Sequence, residues 1–215
     1  MIQNDLTFVQ KLLNNCLITS PCLELGAGYA GETCRDLILE NKIQYFGTDM
    51  ELGKNVDFLA NFEDSPEQVR SVFASIGKFS TVLVLNVLEH TFDPIRVLDN
   101  AIELLESGGI CIIITPTVWP LHNYPYDCWR INPNFYEEYC RRRELNLLMD
   151  YFEYIGFCHV KDLIDSQNNY QYPKPWYFKT KTSTLISRFI HQLFDTHGRS
   201  MFFPSHLSVG CVIQK

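Results

Sequence analysis

Short apolar runs alternate with amphipathic segments along most of the chain. Residues 81–86 read Thr-Val-Leu-Val-Leu-Asn and residues 110–115 read Ile-Cys-Ile-Ile-Ile-Thr, without alternating polar positions. Such runs are typical of strands buried on both faces, as in a parallel sheet. Shorter or weaker runs predict further strands at residues 22–25, 44–48, 158–163 and 206–213.

Between these runs, apolar residues recur three or four positions apart, as on one face of a helix. Ser65 and Asp93 each precede a proline, a combination that begins helices. Strands that alternate with helices predict an α/β fold with helices on both faces of a mostly parallel sheet. The predicted helices cover residues 6–13, 31–39, 66–76, 93–105 and 145–155.

The length of 215 residues fits a single domain over residues 1–215, with residues 1–20 as an N-terminal helical cap. Residues 166–205 form a long tract between the last two predicted strands, and residues 184–194 within it have an amphipathic helical pattern. Tracts of this length inside a compact domain are usually lids, binding elements or interfaces. We therefore predict an insertion at 166–205 that closes a site or joins two copies in a homodimer.

The net charge of −7 argues against binding to nucleic acid, because that binding depends largely on cationic side chains. The one basic cluster, Arg141 to Arg143, lies beside Glu137, Glu138 and Glu144 and predicts a salt-bridged helix face. No apolar run approaches the ~18 residues of a membrane-spanning helix.

The eight cysteines are scattered, with no CxxC motif and no Cys/His pair at zinc-site spacing. We therefore expect reduced cysteines and no metal site. The first twenty residues contain no uninterrupted apolar stretch of a secretory signal. Together these features predict a cytoplasmic protein.

A glycine-rich stretch follows the first predicted strand. Gly26, Gly28 and Gly31 have the GxGxxG spacing that is typical of adenosine cofactor sites, including NAD sites. Glu24 stands directly before these glycines, where an acid would repel a pyrophosphate but is compatible with the amino acid and sulfonium groups of S-adenosylmethionine. Asp49 follows the next predicted strand, and its carboxylate can accept hydrogen bonds from ribose hydroxyls.

Three ordered motifs between about residues 22 and 163 resemble those of the class I S-adenosylmethionine-dependent methyltransferases. They are Glu24-Leu-Gly26-Ala-Gly28, then Leu85-Asn86-Val-Leu-Glu89-His90 with Asp93-Pro94, and finally Leu104 to Pro116 with its Gly-Gly turn. The resemblance implies a Rossmann-like seven-stranded sheet with an antiparallel last strand and S-adenosylmethionine as cofactor. It also implies a set of cofactor-binding residues: Glu24, Gly26, Gly28, Asp49, Asn61, Phe62, Asn86 and His90.

The sequence departs from the family pattern at two positions. Ala30 stands where many members have the third glycine, and Asn61 stands where relatives often have an aspartate that binds the adenine amino group. An asparagine carbonyl can still accept that hydrogen bond.

The loop after the fifth predicted strand, residues 116–135, is rich in aromatic residues and proline. It resembles the P-x-H-x-x-P-x-D-x-W-R loop of methyltransferases associated with polysaccharide and glycan biosynthesis. His122 is the candidate catalytic base, whereas His90 fits a cofactor-side role. The candidate acceptor-binding residues are Trp119, Tyr124, Tyr126, Asp127, Trp129 and Arg130. In an alternative interpretation, Tyr126 and Trp129 anchor the loop and Asp127 pairs with Arg130.

We therefore predict a methyltransferase that O-methylates a small-molecule or carbohydrate-type acceptor. One alternative is a methyltransferase-like binding protein without turnover. A second alternative is an NAD-dependent oxidoreductase, since Tyr170 and Lys174 have the YxxxK spacing of short-chain dehydrogenases, although Pro173 would break the helix on which both must lie. The sequence does not separate O-, N- and C-methylation.

Overall fold

A computed structural model describes residues 3–28, 33–122, 126–156 and 207–215. One mixed sheet forms the centre, with helices against both of its faces. The strands are β1 (Cys22–Leu25), β2 (Tyr45–Asp49), β3 (Phe58–Leu59), β4 (Phe79–Leu85), β5 (Leu105–Val118), β6 (Asn146–Leu147), β7 (Glu153–Gly156) and β8 (Leu207–Gln214). The helices are α1 (Gln3–Asn14), α2 (Arg35–Glu40), α3 (Pro66–Val72), α4 (Pro94–Leu104) and α5 (Pro133–Arg143).

The strand order is β3-β2-β1-β4-β5-β8-β6, and β7 also pairs with β8. Strands β1 to β5 run parallel, whereas β8 runs antiparallel to β5, β6 and β7. The predicted α/β fold, mostly parallel with an antiparallel last strand, is therefore confirmed. The described part of the sheet has eight strands rather than seven, because residues 146–156 contribute two short ones.

Strand β4 explains why the apolar runs lack alternation. Val82 and Val84 pack into the core on one face of the sheet, and Leu83 and Leu85 pack into the core on the other. Both faces are covered, so both sets of alternate side chains must be apolar.

The two predicted helix starts are confirmed. Ser65 forms a capping box with Gln68 at the start of α3, and the Asp93 side chain accepts a hydrogen bond from the Arg96 amide at the start of α4. Helix α3 ends earlier than predicted, at Val72 rather than at residue 76. Strand β5 begins earlier than predicted, at Leu105, directly after α4.

The predicted helix over residues 145–155 is wrong. Helix α5 ends at Arg143, and Glu144 follows in the left-handed conformation with φ 54°. Residues 146–147 and 153–156 then pair with β8 as strands, joined by a 3₁₀ turn at Met149–Tyr151. The backbone groups at the edge of β8 form hydrogen bonds with this segment. This pairing outweighs the helical spacing of its apolar residues. The predicted strand at 158–163 and insertion at 166–205 lie outside the described residues.

The basic cluster lies on a salt-bridged helix face, as predicted. Glu138 bonds to Arg141 and Arg142 along α5, and Arg143 pairs with Asp99 on α4. Among the described helices, none combines the length and hydropathy required to span a bilayer.

Candidate functional site

The predicted site residues follow neighbouring strands. Residues 26–28 come after β1, Asp49 ends β2, Asn86 to His90 come after β4, and Trp119 to His122 come after β5. These strands are parallel and lie in the order β2-β1-β4-β5, so their carboxyl ends lie along one edge of the sheet. Open α/β sheets bind ligands at this edge.

The glycine turn after β1 has no room for side chains. Gly26 has φ +74°, and a Cβ atom there would lie 2.8 Å from Val87 Cγ2. A Cβ atom at Gly28 would lie 2.8 Å from Asp49 Oδ2. Glycine at these two positions therefore lets the turn keep this shape and leaves its backbone bare toward a ligand.

Asp49 is fixed by two backbone amides. Its Oδ2 accepts from the Gly28 N–H at 2.9 Å, and its Oδ1 accepts from the Glu51 N–H at 3.2 Å. The carboxylate thus lies beside the glycine turn, and the half-exposed Met50 side chain follows it. Each carboxylate oxygen retains a lone pair for a ligand hydroxyl.

The Glu24 side chain points into the protein and is only 2% exposed. Its carboxylate accepts hydrogen bonds from the Tyr45 hydroxyl at 2.7 Å and from the Cys34 amide at 3.0 Å. Burial raises the pKa of Glu24 to about 7, although these hydrogen bonds oppose the shift. These bonds tie β1 to β2 and to the residue before α2, and the role of Glu24 in cofactor binding stays a prediction.

Asn61 lies beside a cleft of about 400 Å³ that Met50 and Leu59 also line. The Asn61 amide group bonds locally, accepting from the Glu63 N–H and donating to Asp64. The neighbouring Phe62 is 6% exposed and packs in the core. Asn61 therefore borders an open cleft, whereas the Phe62 ring does not line it.

Asn86 connects the edge of the sheet to the N-terminal helix. Its backbone has φ 54°, and its side-chain amide donates to Asp5 of α1 at 3.0 Å. The backbone N–H of Asn86 donates to the Ile114 carbonyl, so β4 and β5 remain paired where the site begins.

Glu89, His90 and His122 lie together, and one possible ligand atom from each lies within 4.8 Å of the others. The two imidazole rings meet edge to face, with centroids 4.9 Å apart. His90 Nδ1 contacts the Tyr126 carbonyl at 2.6 Å, and His122 Nδ1 contacts Asp127 Oδ2 and the Pro120 carbonyl, each at 3.2 Å. Burial lowers the pKa of His90, which favours its neutral form.

Asp127 and Arg130 pair with each other, as the alternative interpretation expected. The Asp127 side chain is fully buried and also accepts from the His122 amide at 2.8 Å. The Arg130 guanidinium holds the pKa of Asp127 well below its usual range. These two residues organise the loop, whereas Tyr126 and Trp129 are 66% and 44% exposed. Tyr124 lies outside the described residues.

Trp119 belongs to the same loop. Its carbonyl accepts from Arg130, and its ring lies 6.3 Å from the His122 ring between centroids. The loop thus brings one tryptophan close to His122 and leaves Trp129 open to solvent.

A family model for a methyltransferase domain matches residues 6–165, most of the chain. The chain belongs to this methyltransferase-domain family. Family membership makes it an enzyme of the methyltransferase class and implies S-adenosylmethionine as cofactor. A search of curated protein sequences returned no match.

Solved methyltransferase structures share the fold. An S-adenosylmethionine-dependent methyltransferase from Archaeoglobus fulgidus is 13% identical, with a TM-score of 0.56 and coverage of 99% of this chain and 95% of that chain. A methyltransferase from Bacillus halodurans is 12% identical, with a TM-score of 0.56 and coverage of 96% and 98%. The 1,6-didemethyltoxoflavin-N1-methyltransferase of Burkholderia thailandensis, solved with bound 1,6-didemethyltoxoflavin and S-adenosylhomocysteine, is 12% identical. Its TM-score is 0.54, with coverage of 99% of this chain and 78% of that chain.

The described residues of this methyltransferase fit the implied cofactor. The turn at Gly26 and Gly28 offers bare backbone, Asp49 offers carboxylate oxygens, and a cleft extends beside Asn61.

The sequence motifs do not single out Glu89, although it lies in the run after β4. Its side chain is 1% exposed and lies beside both histidines. An acid and a histidine together at the end of an apolar strand were the available signal.

Proposed function

We propose that this methyltransferase transfers a methyl group from S-adenosylmethionine to a hydroxyl group of a small or carbohydrate-type acceptor. The observation that carries the proposal is the arrangement of His122. Its Nδ1 is engaged by Asp127 and Pro120, which directs the proton to Nδ1 and leaves Nε2 as the basic nitrogen.

The cofactor would bind along the first half of the sheet edge. Backbone groups at Gly26 and Gly28 would approach its amino acid part, Asp49 would accept from ribose hydroxyls, and Asn61 would face the adenine. The exposed thioether of Met50 offers an apolar contact beside Asp49.

The chemistry requires little beyond alignment and removal of a proton. When bound, S-adenosylmethionine supplies a methyl group activated by a sulfonium, which an acceptor oxygen can displace. His122 Nε2 accepts the hydroxyl proton, and Asp127 stabilises the imidazolium that forms. The sequence and structure of the loop after β5 support this role, because they bring His122 to the carboxyl edge of the sheet.

The acceptor would contact the exposed aromatic side chains of the same loop. Tyr126 and Trp129 offer flat apolar faces of the kind on which sugar rings stack. Asp127 and Arg130 are occupied with each other and with loop carbonyls, so we now assign them to loop positioning rather than to direct acceptor binding. The resemblance of this loop to those of glycan-associated methyltransferases supports a carbohydrate-type acceptor.

Two measurements test the proposal. Isothermal titration with S-adenosylhomocysteine and, separately, with NAD should give saturable binding for the first compound alone. A screen with methyl-labelled S-adenosylmethionine should then transfer label to sugars or nucleotide sugars rather than to amines. Binding of NAD alone would overturn the methyltransferase assignment, and label found only on amines would overturn the hydroxyl acceptor.

A further inference from the structure

The Glu89 carboxylate is buried without a hydrogen-bond partner. The side chain is 1% exposed, and neither Oε1 nor Oε2 has a partner among the described residues. The nearby guanidinium of Arg130 is directed to Asp127 and to the carbonyls of Trp119 and Trp129. A buried carboxylate is costly unless it is paired, protonated or bound to a metal ion. A bound cation would remove this cost at Glu89.

The neighbouring His90 and His122 each have one ring nitrogen with a free lone pair that could bind a cation. A carbonyl oxygen can only accept, so the 2.6 Å contact with Tyr126 O gives His90 its proton on Nδ1. The contacts of His122 Nδ1 with Pro120 O and Asp127 Oδ2 assign its proton in the same way. Nε2 of each neutral ring is therefore unprotonated. His90 Nε2 lies 3.7 Å from Glu89 Oε1, too far for a hydrogen bond but suitable for two ligands of one ion.

We propose that Glu89, His90 and His122 bind a single divalent transition-metal ion. One nitrogen of each imidazole and one Glu89 carboxylate oxygen lie within 4.8 Å of one another. An ion about 2.0–2.2 Å from each atom needs ligand separations of roughly 3–4 Å, so a closure of about 1 Å completes the site. Asp127 supports His122 from behind, in the carboxylate–histidine–metal arrangement that orients ligating imidazoles.

The ligand set selects the class of ion. Two imidazoles and one carboxylate suit Zn²⁺, Mn²⁺, Fe²⁺ or Co²⁺, whereas Mg²⁺ and Ca²⁺ prefer oxygen ligands throughout. Three protein ligands leave coordination positions open for another molecule. This site departs from the expectation, drawn from cysteine spacing alone, that the chain binds no metal.

The role of the ion rests on the proposed function. In that case His122 is a ligand rather than the base, because the ion occupies Nε2. The ion would bind the acceptor hydroxyl and lower its pKa, and the proton would leave to water. The methyl group then passes from sulfur to oxygen, the S–C bond breaks, and its electron pair stays on sulfur as a neutral thioether.

Metal binding is measured on the full chain without a polyhistidine tag, after dialysis against a chelator. Titration with Zn²⁺, Mn²⁺ and Co²⁺ is followed by calorimetry, by Co²⁺ absorption and by elemental analysis of the dialysed complex. We expect one ion per chain for at least one of these metals and a rise in melting temperature with metal concentration. Absence of binding by all three at micromolar concentrations would overturn the site.

Ligand variants locate the ion. Glu89→Gln and His122→Ala should weaken metal affinity at least 100-fold, and Asp127→Asn should weaken it about 10- to 100-fold through the orientation of His122. Glu67→Gln, which removes an exposed carboxylate on α3, is the matched control and should bind metal like the wild type. Folding of each variant is checked by circular dichroism. Wild-type metal affinity in both Glu89→Gln and His122→Ala would overturn the assignment.

Titration of the same variants with S-adenosylhomocysteine separates the two proposals. Metal binding without cofactor binding would leave the metal site standing and refute the proposed function. Cofactor binding and turnover that persist after complete chelation would refute the catalytic role of the ion and leave the proposed function standing.

Discussion

The two halves of the sheet edge treat their polar side chains in opposite ways. On the side of β1 and β2, the Glu24 and Asp49 carboxylates accept hydrogen bonds from the protein itself, and the local geometry is closed. On the side of β4 and β5, Glu89 is buried without a hydrogen-bond partner among the described residues, and the imidazoles of His90 and His122 lie beside it. The β1 and β2 side is a preorganised binding surface, whereas the β4 and β5 side carries the groups that are available for chemistry.

This difference indicates a division of labour. Internal hydrogen bonds preorganise a binding surface at the cost of its reactivity, since each bonded carboxylate is partly satisfied. Unsatisfied groups cost stability and are retained where they act on something else. Variants on the β1 and β2 side should therefore change cofactor affinity or stability, and variants on the β4 and β5 side should change turnover.

The largest effect is expected at His122. His122→Ala should lower turnover by about 10²- to 10⁴-fold, because the acceptor hydroxyl loses its activation both when His122 is the base and when it is a ligand of the proposed ion. Affinity for S-adenosylhomocysteine should remain within about threefold of the wild type, as expected for a group remote from the glycine turn. Leu121→Ala, at a neighbouring position that is 80% exposed, serves as the control. A parallel loss of cofactor affinity would break the division between the two halves.

The next effect concerns stability and pH at Glu24. The folded state keeps the Glu24 proton up to about pH 7, whereas the unfolded chain releases it near pH 4.5. Unfolding therefore releases a proton between these pH values, and the free energy of unfolding falls as pH rises, by roughly 3 kcal/mol from this group. Glu24→Gln should lose this fall, as measured by urea unfolding from pH 4.5 to pH 8.

Glu40→Gln, at an exposed position of α2, should keep the pH dependence of the wild type. An unchanged pH dependence in Glu24→Gln would mean that Glu24 is ionised in the folded protein.

A smaller effect is expected at Asp49. Asp49→Ala should weaken S-adenosylhomocysteine binding by about 10- to 100-fold, because hydrogen bonds to a charged group are each worth about 1.5–3 kcal/mol. Metal binding by Glu89, His90 and His122 should be unaffected. The comparison is with Asp36→Asn, an exposed carboxylate on α2, by isothermal titration. Equal affinities of the two variants would remove Asp49 from the cofactor site.

The smallest effect is expected at Trp129, which is 44% exposed. Trp129→Ala should raise KM for the acceptor about 2- to 10-fold, since a stacking contact is worth about 0.5–1.5 kcal/mol. The melting temperature should hardly change. Ile95→Ala on α4, at a position with the same 44% exposure, should leave KM unchanged. A large fall in melting temperature would instead identify Trp129 as a loop anchor.

The features that sequence predicts correctly are decided locally. Strand β4 is covered on both faces, which leaves a continuous apolar run, and Ser65 begins α3 through bonds within four residues. The shape of the glycine turn is equally local, since it depends on nearby backbone positions.

The features that sequence misses depend on partners far along the chain. Residues 146–156 become strands because β8 offers them hydrogen bonds, and no property of the segment itself reveals this. The metal-ligand cluster joins Glu89 and His90 after β4 to His122 after β5, and a search by cysteine and histidine spacing does not find ligands on separate loops. Glu24 was identified in the correct motif, but the direction of its side chain depends on Tyr45 and Cys34.

The position of β8 has a consequence for how the molecule reaches its native state. This strand lies between β5 and the short strands β6 and β7, and it meets β5 about a hundred residues after β5 has been synthesised. Pairing of segments so distant along the chain slows folding, and an open strand edge can meanwhile pair with another chain. Until β8 pairs with it, the edge of β5 and its row of isoleucines stay uncovered, which makes this strand the segment most prone to pair with another chain during folding.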